Sequence, residues 1–267
     1  MTDQHTRPDT PPIRAVVAGP DGRMGGLLLQ RLPVEGIDVV GGLRRDDPQA
    51  ADLLAKADVL VDFTNPDSSV DLMHAAVNAG VRPVSGTSGL TEDALRAVDR
   101  AARERGIGAI WAPNFRIGGA LTKHLAEIVA RFFGPVEIIE AHHAAKADAP
   151  SGTALELARS IREAHGSDIP DPEVERTTLA GVRGGVEGGV RVHSLRLPGL
   201  LSRHEIVFSG DAEVLTIRHD DFSRAAYTPV VAMAAREVMR PGVVGLVRGL
   251  DAVMGLRHAS RKFSPSN

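Results

Sequence analysis

From residue 13 to residue 111, short runs of β-branched residues alternate with longer stretches rich in Ala, Leu and Arg. The runs at 13–18, 37–40, 59–62, 82–84 and 108–111 are nearly continuous in apolar residues, the pattern of strands buried on both faces. Between them, 24–31, 68–79 and 92–105, with the shorter 49–55, read as helices. A parallel strand pair needs a crossover to bring the chain back, and a helix supplies it. The alternation therefore predicts a doubly wound parallel sheet. Its core must be aliphatic, because the 267 residues include one Trp, one Tyr and seven Phe.

After Trp111 the texture changes. A helical stretch at 119–133 leads to a strand at 136–141 and a helix at 153–165. Strand candidates at 191–196, 204–208 and 214–219 follow without long helices between them, which predicts hairpin or meander connections. A helix at 230–239 comes next, and the tail 245–256 is expected to pack back on the first domain. The fold class expected is α/β: an N-terminal Rossmann-type doubly wound parallel sheet with a C-terminal α+β domain built on an open mixed sheet. The expected division is a disordered lead-in at 1–12, a nucleotide-type domain at 13–114 completed by 240–267, and an α+β domain at 115–239. An open sheet invites association with another subunit. The stretch 181–189 holds five glycines in nine positions and reads as a mobile loop.

Composition narrows the function. A net charge of −3 gives no general attraction for nucleic acid or acidic membranes. The absence of cysteine excludes disulfides, thiolate nucleophiles and zinc–thiolate sites. No apolar run has the length of a membrane span, and residues 1–12 lack the pattern of a secretory signal. The expectation is a cytoplasmic protein that handles a small molecule.

Two segments carry chemistry. The first strand runs into Gly19-Pro20-Asp21-Gly22-Arg23-Met24-Gly25, where glycines at 19, 22 and 25 let the backbone turn tightly and approach a pyrophosphate at a helix N-terminus. The same spacing also suits a plain strand–helix turn. Past the second strand come Arg44 and Arg45, whose forked guanidinium groups suit a 2′-phosphate and favour NADPH; Asp46 and Asp47 leave NADH open. A solvated charged turn is the plainer alternative.

The denser segment is Glu140-Ala141-His142-His143-Ala144-Ala145-Lys146-Ala147-Asp148-Ala149-Pro150-Ser151-Gly152-Thr153-Ala154. Adjacent histidines at a strand end point to opposite sides, and histidine exchanges protons near neutral pH. Lys146 offers a cation or a proton. Ser151-Gly152-Thr153 opens a helix whose first amides suit a carboxylate, although Ser151 also reads as an N-cap. A metal site at His142 and His143, with His193, His204 and His219 elsewhere, is the weaker reading because a lysine stands in the cluster.

This run resembles the signature of the 4-hydroxy-tetrahydrodipicolinate reductase (dihydrodipicolinate reductase) family, and the resemblance extends from Ile13 to about Leu256. Gly19–Gly25 is similar to its cofactor loop. Asp62-Phe63-Thr64 with Pro66, Gly86-Thr87-Ser88-Gly89 and Ala112-Pro113-Asn114-Phe115 resemble its later cofactor loops, in order. His193-Ser194-Leu195-Arg196-Leu197-Pro198-Gly199 and Ile217-Arg218-His219-Asp220, with Arg224, resemble its second-domain strands.

The resemblance implies that His142 donates and accepts the proton and that Lys146 is the catalytic lysine. It implies that His143, Ser151, Gly152 and Thr153 hold the substrate's carboxylates. Gly19, Pro20, Asp21, Gly22, Arg23 and Met24, then Gly86, Thr87, Ser88, Ala112, Pro113, Asn114 and Phe115, would meet the nucleotide. It implies reduction of a cyclic imine dicarboxylate with NADPH or NADH in a homotetramer, with 13–114 as the dinucleotide-binding domain and 115–239 as the substrate-binding and oligomerisation domain. Lys146 is expected to lower the pKa of His142; the 181–189 loop could serve as a lid, although a floppy connector is the plainer reading. Two departures stand out: Asp21 puts a carboxylate beside the expected pyrophosphate, and Arg44 replaces the acid the family commonly has there. A relative acting on a different cyclic imine dicarboxylate, or a non-catalytic dinucleotide sensor, are the alternatives.

Overall fold

The computed structural model of the chain describes residues 11–256. The expected lead-in at 1–12 therefore lies outside the described residues except for Pro11 and Pro12, as does 257–267 of the closing segment. The chain begins with β1 (Arg14–Ala18), α1 (Arg23–Arg31), β2 (Asp38–Leu43), α2 (Ala50–Ala55), β3 (Val59–Asp62), α3 (Pro66–Asn78), β4 (Arg82–Ser85), α4 (Glu92–Arg105) and β5 (Gly108–Trp111). It continues through α5 (Ile117–Val129), β6 (Val136–His142), α6 (Gly152–His165), β7 (Gly185–Glu187), β8 (Val190–Arg196), β9 (Ser202–Ser209) and β10 (Val214–Asp221). It closes with α7 (Thr228–Val238), β11 (Gly245–Arg248) and α8 (Leu250–Val253).

Two compact units result, one running to Arg116 and resuming over Ala225–Met254, the other spanning Ile117–Arg224. The sequence reading put the second crossing after 239. It falls earlier because α7 buries Val230, Val231, Ala232, Ala234, Ala235 and Val238, and its apolar side packs against β3, β4 and β5.

In the first unit six parallel strands lie in the order β11-β5-β4-β3-β1-β2. Local chemistry sets the helix ends. The side chain of Asn65 accepts from the Ser68 amide ahead of α3, with Pro66 at the first helical turn. Thr91 caps α4, which Gly106 ends at φ 68°. The second strand runs further than the 37–40 expected from its apolar residues, through Gly41 and Gly42 to Leu43. Those glycines admit Leu53 and Pro20: a Cβ on Gly41 would stand 2.8 Å from the Leu53 side chain, and one on Gly42 2.6 Å from that of Pro20.

The five strands of the second unit lie in the order β10-β9-β6-β8-β7. The meander expectation holds for the β9–β10 pair only in part of the sheet. β6 inserts between β8 and β9, parallel to the first and antiparallel to the second. Its place follows from its apolar content, since Val136, Ile138 and Ala141 are all buried. Alternate residues Val136 and Ile138 join Val190, Val192, Ile206 and Phe208 in a core covered by Ala126, Ala154, Leu157, Ala158 and Ile161 of α5 and α6.

The glycine-rich stretch also departs from the mobile-loop reading, because Gly185–Glu187 is a strand paired with β8. Gly188 (φ 60°) and Gly189 (φ 85°) make the two-residue turn between them. Two positive φ values suit the tight hairpin turn whose twist matches the strands it joins.

Ile206 is fully buried in the second unit's core. Ile206→Ala is expected to destabilise the protein by about 2–5 kcal/mol, read as a lower urea midpoint with an unchanged slope.

Candidate active site

In the first unit the strand order reverses between β1 and β3, whose carboxyl ends form the crevice where open α/β sheets bind ligands. A cavity of about 620 Å³ lies there, lined by Gly19 to Met24, Arg44, Arg45, Phe63, Thr64 and Asn65. Gly19 sits at φ 64°, and a Cβ on Gly25 would fall 2.0 Å from the Gly19 carbonyl oxygen. The loop thus folds back on the first turn of α1 at a distance that only glycine permits. Gly22, the N-cap of α1, supplies no side-chain acceptor, so the leading amides of the helix suit an anionic ligand. A pyrophosphate fits this cradle.

The two departures turn out to be partners. Arg44 Nε and Nη2 donate to the two carboxylate oxygens of Asp21 at 2.8 and 3.0 Å. The loop carboxylate is neutralised by the arginine that stands where an acid is usual. Arg45 Nη2 donates to the hydroxyl of Ser68 at 2.9 Å, a neutral partner. Asp47 accepts the Gln49 amide at 3.0 Å and so belongs to the turn into α2.

Asp62, at the end of β3 and fully buried, organises the next loops. It accepts from the amide and hydroxyl of Thr64 (2.9 and 2.6 Å), from Ser85 (2.7 Å), from Thr87 (3.0 Å) and from Ser69. Several expected cofactor residues are consequently internal. The Thr87 hydroxyl is bound to Asp62, Ala112 and Phe115 are fully buried, and Phe63 packs edge-on to Phe115 at 5.2 Å. Gly86 is glycine because the Phe63 ring fills its Cβ space, 2.0 Å away. Ser88 and Pro113 are exposed, and Asn114 has a buried side-chain oxygen without a partner.

In the second unit, Glu140 and His142 continue the helix-facing side of β6 beyond its apolar residues. Glu140 is fully buried and His142 is 9% exposed. His142 Nδ1 lies 2.5 Å from Glu140 Oε2, and Arg196 Nη2 lies 2.9 Å from Glu140 Oε1. The His142 ring stands edge-on to His204 at 5.4 Å, and His204 Nε2 is 3.3 Å from the Ser151 hydroxyl. Strand register makes this cluster: Glu140 stands opposite Ser194 and His204, and His142 opposite Arg196 and Ser202.

Lys146 follows in the loop, its ammonium donating to Asp148 at 2.7 Å. Ser151 is the N-cap of α6, accepting from the Ala154 amide at 3.3 Å, and is 2% exposed. Its hydroxyl is therefore committed inward, and Gly152 and Thr153 present the helix end. A Cβ on Gly152 would meet nothing within 4 Å, so that end is open. His143 is half-buried at the start of the loop. Among the described residues no group of three His, Asp or Glu side chains is placed to hold a metal ion.

Burial is the main force that lowers the His142 pKa; the Glu140 carboxylate raises it, and Lys146 and Arg196 lower it again. The expected effect of Lys146 has the right sign but is smaller than that of burial. Burial pushes the Glu140 carboxyl up, yet Arg196, Ser194 and His142 together bring it below the usual range. The sequence reading gave Glu140 and Arg196 no individual role, named His204 only among possible metal-site histidines, and placed Asp62 only within a cofactor-loop resemblance. Glu140 was within reach, standing two residues before His142 on one strand face. Arg196 and His204 depend on pairing between strands, which no local pattern encodes.

Burial, reinforced by the nearby His142, lowers the His204 pKa from 6.5 to about 4. A histidine held neutral in the native state takes up its proton more readily when unfolded. Its share of stability is complete above pH 6.5 and is lost as the pH falls toward 4. The share is about 3 kcal/mol. Across that window the unfolding free energy of wild type, measured relative to that of His204→Gln, is expected to fall by up to about 3 kcal/mol as the pH drops.

Comparison with known proteins follows the same division of the chain. Residues 13–115 match the family described as dihydrodipicolinate reductase, N-terminus, and residues 117–251 match dihydrodipicolinate reductase, C-terminus. The 4-hydroxy-tetrahydrodipicolinate reductase of Beutenbergia cavernae is 43% identical over 249 residues, covering 91% of this chain and 99% of the relative. That of Coxiella burnetii is 38% identical, with 91% and 99% covered. The solved structure of dipicolinate-bound dihydrodipicolinate reductase from Paenisporosarcina sp. TG-14 superposes with a TM-score of 0.80 at 33% identity, covering 90% of this chain and 99% of that one. With both halves matched in order and relatives this similar over nearly their whole length, the chain belongs to the dihydrodipicolinate reductase family.

Proposed function

We propose that the protein is an oxidoreductase that reduces 4-hydroxy-tetrahydrodipicolinate to tetrahydrodipicolinate, a cytoplasmic step of diaminopimelate and lysine biosynthesis. One observation carries the reading: a buried, carboxylate-paired histidine, a lysine and an open helix N-terminus occur together within 12 residues of the second unit, from His142 to Thr153. A cyclic imine with two carboxylates calls for that combination. Lys146 and the leading amides of α6 at Gly152 and Thr153 bind and orient the carboxylates, with His143 at the mouth of the loop. When bound, the reduced nicotinamide supplies the hydride accepted at ring carbon 4 once the hydroxyl has left as water. His142 then delivers the proton to the enamine carbon.

For the cofactor we propose NADPH over NADH. Arg44 is engaged by Asp21, whereas Arg45 is held only by a neutral hydroxyl and can turn its charge to a 2′-phosphate. Of the two carboxylates that leave NADH open, Asp47 is tied into the turn before α2, while Asp46 is exposed. For assembly we propose the homotetramer that the family resemblance implies. In its support, the sheet face opposite α5 and α6 carries no helix of its own unit among the described residues. It leaves Val186, Leu195 and Val214 exposed at 55%, 39% and 65%.

The deciding assay mixes the purified protein with substrate made in situ from pyruvate and aspartate semialdehyde by a condensing synthase, and follows loss of reduced-cofactor absorbance. Rapid protein-dependent oxidation is expected; its absence from folded, cofactor-binding protein would overturn the assignment. His142→Gln is expected to lower kcat by about 10²- to 10⁴-fold with cofactor affinity nearly intact. Arg45→Ala is expected to raise the KM for NADPH by about 10- to 100-fold and leave that for NADH nearly unchanged, as their separate initial rates will show.

A further inference from the structure

Glu140 is a fully buried carboxylate flanked by His142 Nδ1 on its own strand at 2.5 Å and by Arg196 Nη2 on β8 at 2.9 Å, with Ser194 of β8 also hydrogen-bonded to it. A buried charge without a counter-charge would be strongly disfavoured, and Arg196 supplies that counter-charge. Arg196 is itself fixed, donating from Nη2 to the Asp148 carbonyl at 2.5 Å and from Nη1 to that of Leu195 at 2.7 Å. A carboxylate so paired only accepts hydrogen bonds. The short contact therefore requires the proton of His142 to sit on Nδ1, with Nε2 left as the exchanging nitrogen.

We propose that Glu140, kept ionised by Arg196, is a positioning residue that fixes His142 in the Nδ1–H tautomer and supports the imidazolium from which Nε2 gives its proton. The proposal rests on the assignment of His142 as the proton donor. The charged and titratable groups around His142 are Glu140 on its own strand, Lys146 in the following loop, Arg196 on β8 and His204 on β9. His219 and Asp221 of β10 stand behind His204. Lys146, Arg196 and burial all oppose the protonated ring; Glu140 favours it.

Two measurements test this. Nitrogen NMR of the wild-type imidazoles, with His142 assigned by comparison with His142→Gln, is expected to show a protonated Nδ1 and a bare Nε2 at neutral pH. The opposite tautomer would overturn the proposal, and no substrate or variant of Glu140 is needed to see it. In Glu140→Gln, which keeps the size and an acceptor oxygen but loses the charge, the alkaline limb of kcat is expected to move about one to three units toward acid. At fixed neutral pH that is a loss of about tenfold per unit, with the cofactor KM unchanged. Glu140→Asp retains the charge and is expected to keep the limb near its wild-type position even where kcat falls. A purely structural Glu140 would leave the limb unmoved in Glu140→Gln, and that result also overturns the proposal. Full turnover by His142→Gln would instead remove the assignment beneath it.

Discussion

A carboxylate without access to water organises the end of the second unit that carries His142 and Lys146. Glu140 occupies the position on β6 where the apolar core stops, and burial there is tolerable only because Arg196 and His142 meet it from either side. Three features follow from that one requirement. The imidazole is oriented, Arg196 is drawn beneath the loop that carries Lys146, and the loop backbone is held at the Asp148 carbonyl. The Glu140–His142 pair is thus positioned by the solution of a burial problem.

The first unit uses the same physics with neutral partners. Asp62, at the carboxyl end of β3, gathers the hydroxyls of Thr64, Ser69, Ser85 and Thr87 and the Thr64 amide. Short polar side chains from three segments are thereby fixed to one acceptor, and the loops after β3 and β4 take a single shape. At the rim, where solvent screens charge, the Asp21–Arg44 pair contributes little stability but cancels a carboxylate that would repel pyrophosphate. In both units a buried acid at or near the carboxyl end of a strand holds the loops that follow it.

Much of this was legible in the residues. The elements of the first unit follow from apolar runs, capping residues and glycines, all of which act locally. Even the reach of the site was local, since Gly19–Gly25 and His142–Thr153 are each continuous. What was not legible came from pairing at long range. β6 inserted between β8 and β9, β7 emerged from a glycine stretch, and α7 joined the first unit. Those outcomes depend on which surfaces find each other, and a one-dimensional pattern carries no register.

The sequence by itself determined the strand–helix alternation, the phosphate-type turn and the residue types needed to bind an anion and move a proton. Backbone conformation and chemical identity are properties of near neighbours. Tertiary structure alone decided that Arg44 answers Asp21 across 23 positions and that Arg196 answers Glu140 from the adjoining strand. It decided as well that Ser151 turns inward to His204 while Gly152 stays open. Charge compensation and burial are settled in space, where residues far apart in the chain share one low-dielectric environment.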